Sequence, residues 1–126
     1  MTKIIMTFAS LSGLLAVTLG AFGAHGLKGK LSAELFSAFQ TAVQYHFYHT
    51  LALLVVGLLL LRFPSERWLV GSGACFALGL LLFCGSLYAL ALGGPRWLGP
   101  VTPLGGLFFM LGWGVLFASL MRLPWE

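Results

Sequence analysis

The chain has 126 residues, of which 60% are hydrophobic and 8% charged, with a formal net charge of +4. A soluble domain carries roughly a quarter charged residues, so ten ionic side chains cannot supply the surface of an ordinary soluble enzyme, a disordered chain or a DNA-binding domain. The solvent for most of this surface is lipid.

The charges cut the sequence into charge-free windows at 4–27, 35–61, 68–95 and 97–121. A helix needs about 20 apolar residues to cross ~30 Å of hydrocarbon, so each window holds one crossing and none holds two. Backbone polar groups in lipid must be satisfied within their own segment. Runs such as Leu51–Leu61 are apolar on every side, where a strand would alternate. The expectation is an all-α, polytopic membrane protein with four transmembrane helices in one bundle. The helices should lie at about 4–24, 32–62, 66–92 and 103–122, in a single domain over 1–126. The Lys and Arg side chains are spread over both membrane faces and read as interfacial anchors, with membrane lipid and no nucleic acid as partner.

The first window begins like a signal peptide, with Lys3, an apolar run and Ala21 to Ala24. The run is long for that role, and Ser12, Ala16, Gly20 and Ala24 recur every four residues. That stripe reads as a packing face that stays in the protein. The glycines between Gly20 and Gly26 should end the first helix. Ser32 is placed to cap the second, with Glu34 suited to its dipole. From Ser32 to Arg62 the segment exceeds the membrane, so Leu31, Leu35, Phe36 and Phe39 are expected at the interface or against the end of the bundle. Phe63, Pro64 and Ser65 then break the chain, Ser65 capping the third helix, which Gly93, Gly94 and Pro95 stop. Thr102 and Pro103 should open the fourth, threonine at the cap and proline at the first helical position. Trp68, Trp97 and Trp125 fall at the predicted membrane boundaries.

Four crossings put both termini on one side. Lys3, Arg62, Arg67 and Arg122 share that side, against Lys28, Lys30 and Arg96 opposite. The four-to-three balance of positive charge favours termini in the cytoplasm of an inner (plasma) membrane and leaves dual insertion open.

No Asp or Glu lies inside a window, which argues against a carboxylate-coupled exporter. Cys75 and Cys84 are nine residues apart, half a turn out of phase, and cannot pair with each other. The polar residues gather elsewhere. The end of the first helix, the start of the second, the end of the third and the start of the fourth meet on the face opposite the termini. They carry a candidate binding cluster of His25, Gln44, Tyr45, His46, His49, Ser86, Tyr88 and Thr102. Within it His25, Tyr45, His49 and Tyr88 are expected to converge. His46 and His49 could ligate one metal ion, with His25 as a third nitrogen; equally, the same groups could hydrogen-bond across helices and fix packing. With no nucleophile or carboxylate beside them, no catalysis is expected, and the sequence requires no cofactor. Small residues at Gly71, Cys75 and Gly79, and at Gly105, Gly106, Gly112, Gly114 and Ala118, should close helix pairs within the subunit, while leaving a homo-oligomer open.

Five motifs, in order along the chain, carry a resemblance: Gly20–Leu27, Tyr45–His49, Phe83–Tyr88, Thr102–Gly106 and Gly112 with Trp113. Together they resemble the bacterial membrane family known as domain of unknown function 423, to which vertebrate transmembrane protein 256 is similar. The resemblance covers essentially the whole chain and implies a four-helix inner-membrane protein with no established activity. One position departs from the pattern: the family has glutamine where this chain has His46, which moves the metal-ligand expectation toward His25 and His49. Two functions follow. One is a structural or accessory protein binding lipid or a partner protein. The other is a small-molecule, metal or proton-handling protein built on the His/Tyr cluster.

Overall fold

Deprived of water, the backbone amides of an apolar segment bond within that segment. The computed structural model, which describes residues 1–126, is accordingly helical through each charge-free window except for the turns at 92–95 and 99–100. Four rods of 25 to 30 residues are long and apolar enough to cross a membrane. α1 spans Thr2–Phe22 and α2 spans Ala33–Arg62. The third rod is α3, Arg67–Gly79, then a π-helical turn at Leu80–Cys84, then α4, Gly85–Ala91. The fourth rod opens with a 3-10 turn at Arg96–Leu98 and continues as α5, Val101–Arg122.

The helix ends differ from the sequence reading at three places. The Gly20–Gly26 stretch does not end the first rod, which continues through a π-helical turn at Gly23–Leu27. Glycine serves close approach there: a Cβ on Gly23 would sit 2.5 Å from the Phe39 ring. The left-handed residue that reverses the chain is Gly29, at φ 82°. Ser65 does not cap α3. The turn is closed by Glu66 N–H to the Phe63 carbonyl, which moves the helix start one residue further on. Thr102 is not a cap either. α5 begins at Val101, and Pro103 sits inside the first turn, where the helix has no use for an amide. The Thr102 hydroxyl is bonded elsewhere. Ser32 does cap α2, its Oγ accepting the Leu35 N–H at 3.2 Å.

α2 is about 45 Å long at 1.5 Å per residue, and its surplus first turns remain helical. Phe36 and Phe39 pack there with Leu27, Leu31 and Ala91, covering one end of the bundle. Helices in lipid gain little from burying apolar surface, so close packing and hydrogen bonds must hold them together. The α3–α5 pair shows how. The Phe76 ring lies against Gly112, the Phe109 ring against Gly79, and Gly105 against the backbone of Phe83. Ser72 Oγ donates to the Gly112 carbonyl at 2.8 Å.

α1 lies along α2, with Gly13 on Thr50, Gly20 on Val43 and Gly57 on Met6. Near its start it also meets α3, where Ile5 reaches Gly73. Further along, α1 and the third rod part around a cleft of about 230 Å³. At the end carrying the chain termini, Phe63 and Trp125 stack edge to face at 5.6 Å.

Candidate functional site

The expected cluster resolves into two hydrogen-bonded groups on neighbouring faces of α2, facing different rods, plus residues that join neither. The first centres on His46, which is buried at 7% exposure. Its Nδ1 is 2.9 Å from the Tyr88 hydroxyl of α4, and its Nε2 is 2.9 Å from Ser12 Oγ of α1. Ser12 Oγ continues to Thr50 Oγ1 at 2.6 Å. Four polar side chains from three rods thus form one unbranched chain, Tyr88–His46–Ser12–Thr50. Its members are far apart in sequence and are joined because α1 and the third rod flank the same face of α2.

The second group centres on His49, also buried. The Trp113 indole N–H of α5 donates to His49 Nε2 at 3.1 Å. An indole nitrogen only donates, so Nε2 carries the lone pair and Nδ1 the hydrogen. Nδ1 then donates to the Tyr45 carbonyl at 2.9 Å. His49 is therefore neutral, with both nitrogens occupied. Its ring stacks on Phe109 at 3.6 Å and on Tyr45 at 5.8 Å. The link between Tyr45 and His49 runs through a backbone carbonyl and ring stacking, not through the phenol.

His25, Tyr45, His49 and Tyr88 do not converge as expected. Tyr45 and His49 meet; Tyr88 belongs to His46 instead; His25 is exposed on the π-helical turn. Gly23 and Leu27 are the buried residues of that turn, so the residue midway between them faces away. The three histidine nitrogens therefore form no ligand set, and no three metal-ligating side chains gather anywhere in the molecule. Ser86 and Thr102 pair at 2.5 Å, and Ser86 also donates to the Phe83 carbonyl in the widened π-helical turn, which ties α4 to α5. Gln44 is exposed and lines a separate hollow of about 170 Å³ between α1 and α2, with Gln40.

Ser12, Thr50 and Trp113 are the partners that sequence reasoning left outside the cluster. Ser12 was concealed as one small residue in a packing stripe. For Trp113 a signal existed: the other three tryptophans fall at membrane boundaries, whereas this one lies mid-helix and needs an internal acceptor. Trp113→Phe is expected to lower stability in detergent by about 1 kcal/mol, the scale of one polar link in lipid, measured as a shift in thermal unfolding. An unchanged melting curve would remove His49 as a packing hub.

The chain Tyr88–His46–Ser12 forms the floor of the cleft between α1 and the third rod. Its walls are apolar, Leu11 and Leu15 on one side and Leu81 and Gly85 on the other. Leu11, Leu15 and Leu81 are 47–60% exposed, so the cleft opens sideways, toward the hydrocarbon. The π-helical turn Leu80–Cys84 runs along its edge, and such turns inside α-helices are frequent at functional sites.

Known proteins of similar sequence set this arrangement in a family. The family described as "Protein of unknown function (DUF423)" matches residues 19–106. A UPF0382 membrane protein of Staphylococcus epidermidis is 41% identical over 121 residues, covering 95% of this chain and 97% of its own. The UPF0382 membrane protein YwdK of Bacillus subtilis is 38% identical, covering 95% and 98%. The UPF0382 inner membrane protein YgdD of Escherichia coli is 40% identical, covering 97% and 92%. No solved structure matches the chain. With four spanning helices, and with relatives that match end to end and are themselves named membrane proteins, the chain is a multi-pass membrane protein belonging to the DUF423 family, whose function is unknown.

Proposed function

We propose that the protein binds a neutral, membrane-dissolved molecule in the cleft between α1 and α4, with the head of the molecule on Ser12, His46 and Tyr88 and its tail in lipid. The observation that carries this reading is a laterally open, apolar cleft of about 230 Å³ whose floor is a buried polar chain. Three features narrow the ligand. No Lys, Arg, Asp or Glu lines the cleft, so a charged headgroup finds no counter-ion. Ser12 lies ten residues from either end of α1, about 15 Å along the helix, which is mid-bilayer depth and out of reach of a phospholipid headgroup. The volume falls below the ~300–1,000 Å³ of sites that engulf drug-sized ligands, which suits a small head with its tail outside.

A second reading keeps the polar chain as packing alone. It is favoured by the fact that no buried side-chain nitrogen or oxygen lacks a partner. Gly85 separates the two. It lines the cleft, and a Cβ there would meet nothing within 4 Å. Gly85→Leu should therefore fill the cleft and leave the fold and its melting temperature intact. Native mass spectrometry from nanodiscs is expected to show a neutral lipid retained by the wild type and reduced at least tenfold in the variant. Equal retention by both would leave packing as the sole role.

The termini belong on the cytoplasmic side in this reading. Four Lys and Arg side chains lie at that end against three at the other, with the Arg122 guanidinium over the Trp68 ring at 4.6 Å and Arg62 over Phe63 at 5.2 Å.

A further inference from the structure

We infer that the cleft selects a carbonyl-bearing head, such as that of a quinone, over the hydroxyl-bearing counterpart, because the polar chain delivers a hydrogen-bond donor into it. The inference rests on the cleft being a ligand site and names the class of ligand. It follows from counting hydrogens from the buried end.

Thr50 makes one side-chain hydrogen bond, to Ser12 Oγ, and is buried at 4% exposure. Other helical hydroxyls here, those of Ser10, Thr18 and Ser119, donate to the carbonyl four residues back, whereas Thr50 does not. If Thr50 accepted from Ser12, its own hydrogen would be buried with nothing to bond. So Thr50 donates to Ser12. A buried donor without an acceptor is the more costly state, and a spare lone pair on Thr50 the milder one.

The rest is forced. Ser12, already accepting from Thr50, directs its hydrogen to His46 Nε2. Nε2 then holds the lone pair, and a neutral imidazole carries its single hydrogen on the other nitrogen. Nδ1 donates to the Tyr88 hydroxyl oxygen. Tyr88 now holds a hydrogen that no protein group accepts, since its hydroxyl has His46 as its sole partner. Tyr88 lines the cleft, so that hydrogen is presented to whatever occupies it.

A carbonyl oxygen completes the series. A hydroxyl in the same place could accept, but its own hydrogen would then face leucine walls. A quinone should therefore bind better than its quinol, although the two share one skeleton and one tail. Tyr88 touches the ligand; Thr50, which does not line the cleft, acts as a positioning residue by fixing the direction of the chain.

The test uses the whole protein in nanodiscs with a decyl-substituted benzoquinone and its quinol as probes, each titrated under conditions that hold its redox state. The wild type is expected to bind the quinone at least tenfold more tightly than the quinol. Tyr88→Phe and the remote Thr50→Val should each bring that ratio close to one. Equal binding of the two probes by the wild type, or tighter binding of the quinol, overturns the inference and leaves the cleft as a neutral-lipid site. If neither probe binds, or if Gly85→Leu binds them as the wild type does, the cleft reading falls with it. A readout independent of ligand and of variant folding is the nitrogen-15 spectrum of His46. Hydrogen on Nδ1 is expected, and hydrogen on Nε2 refutes the direction assigned to the chain.

Discussion

Gly105→Ala is expected to destabilise the protein more than any other single methyl addition among its glycines. A Cβ at this position would overlap the Phe83 amide nitrogen and lie 2.7 Å from its Cα. The obstacle is backbone, which no rotamer change can clear. Overpacking a core costs ~1–3 kcal/mol when side chains can shift, so the loss here should reach or exceed the upper end of that range. The gain of about 1 kcal/mol in helix propensity on replacing glycine cannot offset it. At Gly79 the intruding methyl would meet the Phe109 ring, which can swing, so Gly79→Ala should cost less. Gly114→Ala is the control, because a Cβ there meets nothing within 4 Å. Thermal unfolding in detergent should rank the variants Gly105, Gly79, Gly114 from most to least destabilised. A Gly105→Ala variant that melts with the wild type would mean that α5 and the π-helical turn at Leu80–Cys84 do not approach as closely as the structure places them.

The glycine result bears on what a sequence of this kind makes legible. The four crossings follow from where charge is absent, because the desolvation of an ionic group in hydrocarbon outweighs every local preference. The ends of the crossings were read less well, since three signals had two physical uses. Glycine at Gly23 accommodates a phenylalanine rather than ending a helix. Thr102 bonds Ser86 rather than capping α5. Ser65 lies in a turn whose own backbone bond delays α3 by one residue. Each choice is made by a neighbour on another rod, which a single segment does not specify.

The same limit applies to the site. That polar residues would gather at matching levels was legible, because alternate helix ends share a face. Which of them would bond was not. His46 and His49 are three residues apart, a spacing that lets both ligate one metal ion. Yet one turns to Ser12 and Tyr88 while the other turns to Trp113. Helical phase relates residues to their own axis, and the position of α1 relative to α4 decides the partners. The resemblance implies glutamine at position 46, and the structure places His46 at the centre of the network. The two are compatible, because a side-chain amide also donates at one end and accepts at the other.

That compatibility yields the second large effect. His46→Ala should cost about 2–4 kcal/mol. It deletes two hydrogen bonds, to Tyr88 and Ser12, each worth ~0.6–1.7 kcal/mol in a membrane. It also opens a void in a buried position, which adds a packing penalty. His46→Gln should recover most of the loss, as the amide reproduces one donor and one acceptor at similar reach. The origin of the penalty can be separated from the void by removing the partners as well. In a Ser12→Ala, His46→Leu, Tyr88→Phe triple variant the hydroxyls of Ser12 and Tyr88 are gone, and leucine fills much of the space. Replacing both sides of a hydrogen bond with apolar groups of similar shape is close to neutral. The triple variant should therefore be more stable than the sum of its single variants by ~1–3 kcal/mol, the coupling expected of groups in one network. Unfolding curves for the singles and the triple in one detergent measure this directly. Additive losses would show that Tyr88, His46 and Ser12 act as separate packing residues and not as one hydrogen-bonded chain. A His46→Gln variant as unstable as His46→Ala would show that the position needs the imidazole ring itself, a demand that a two-ended donor–acceptor bridge does not make.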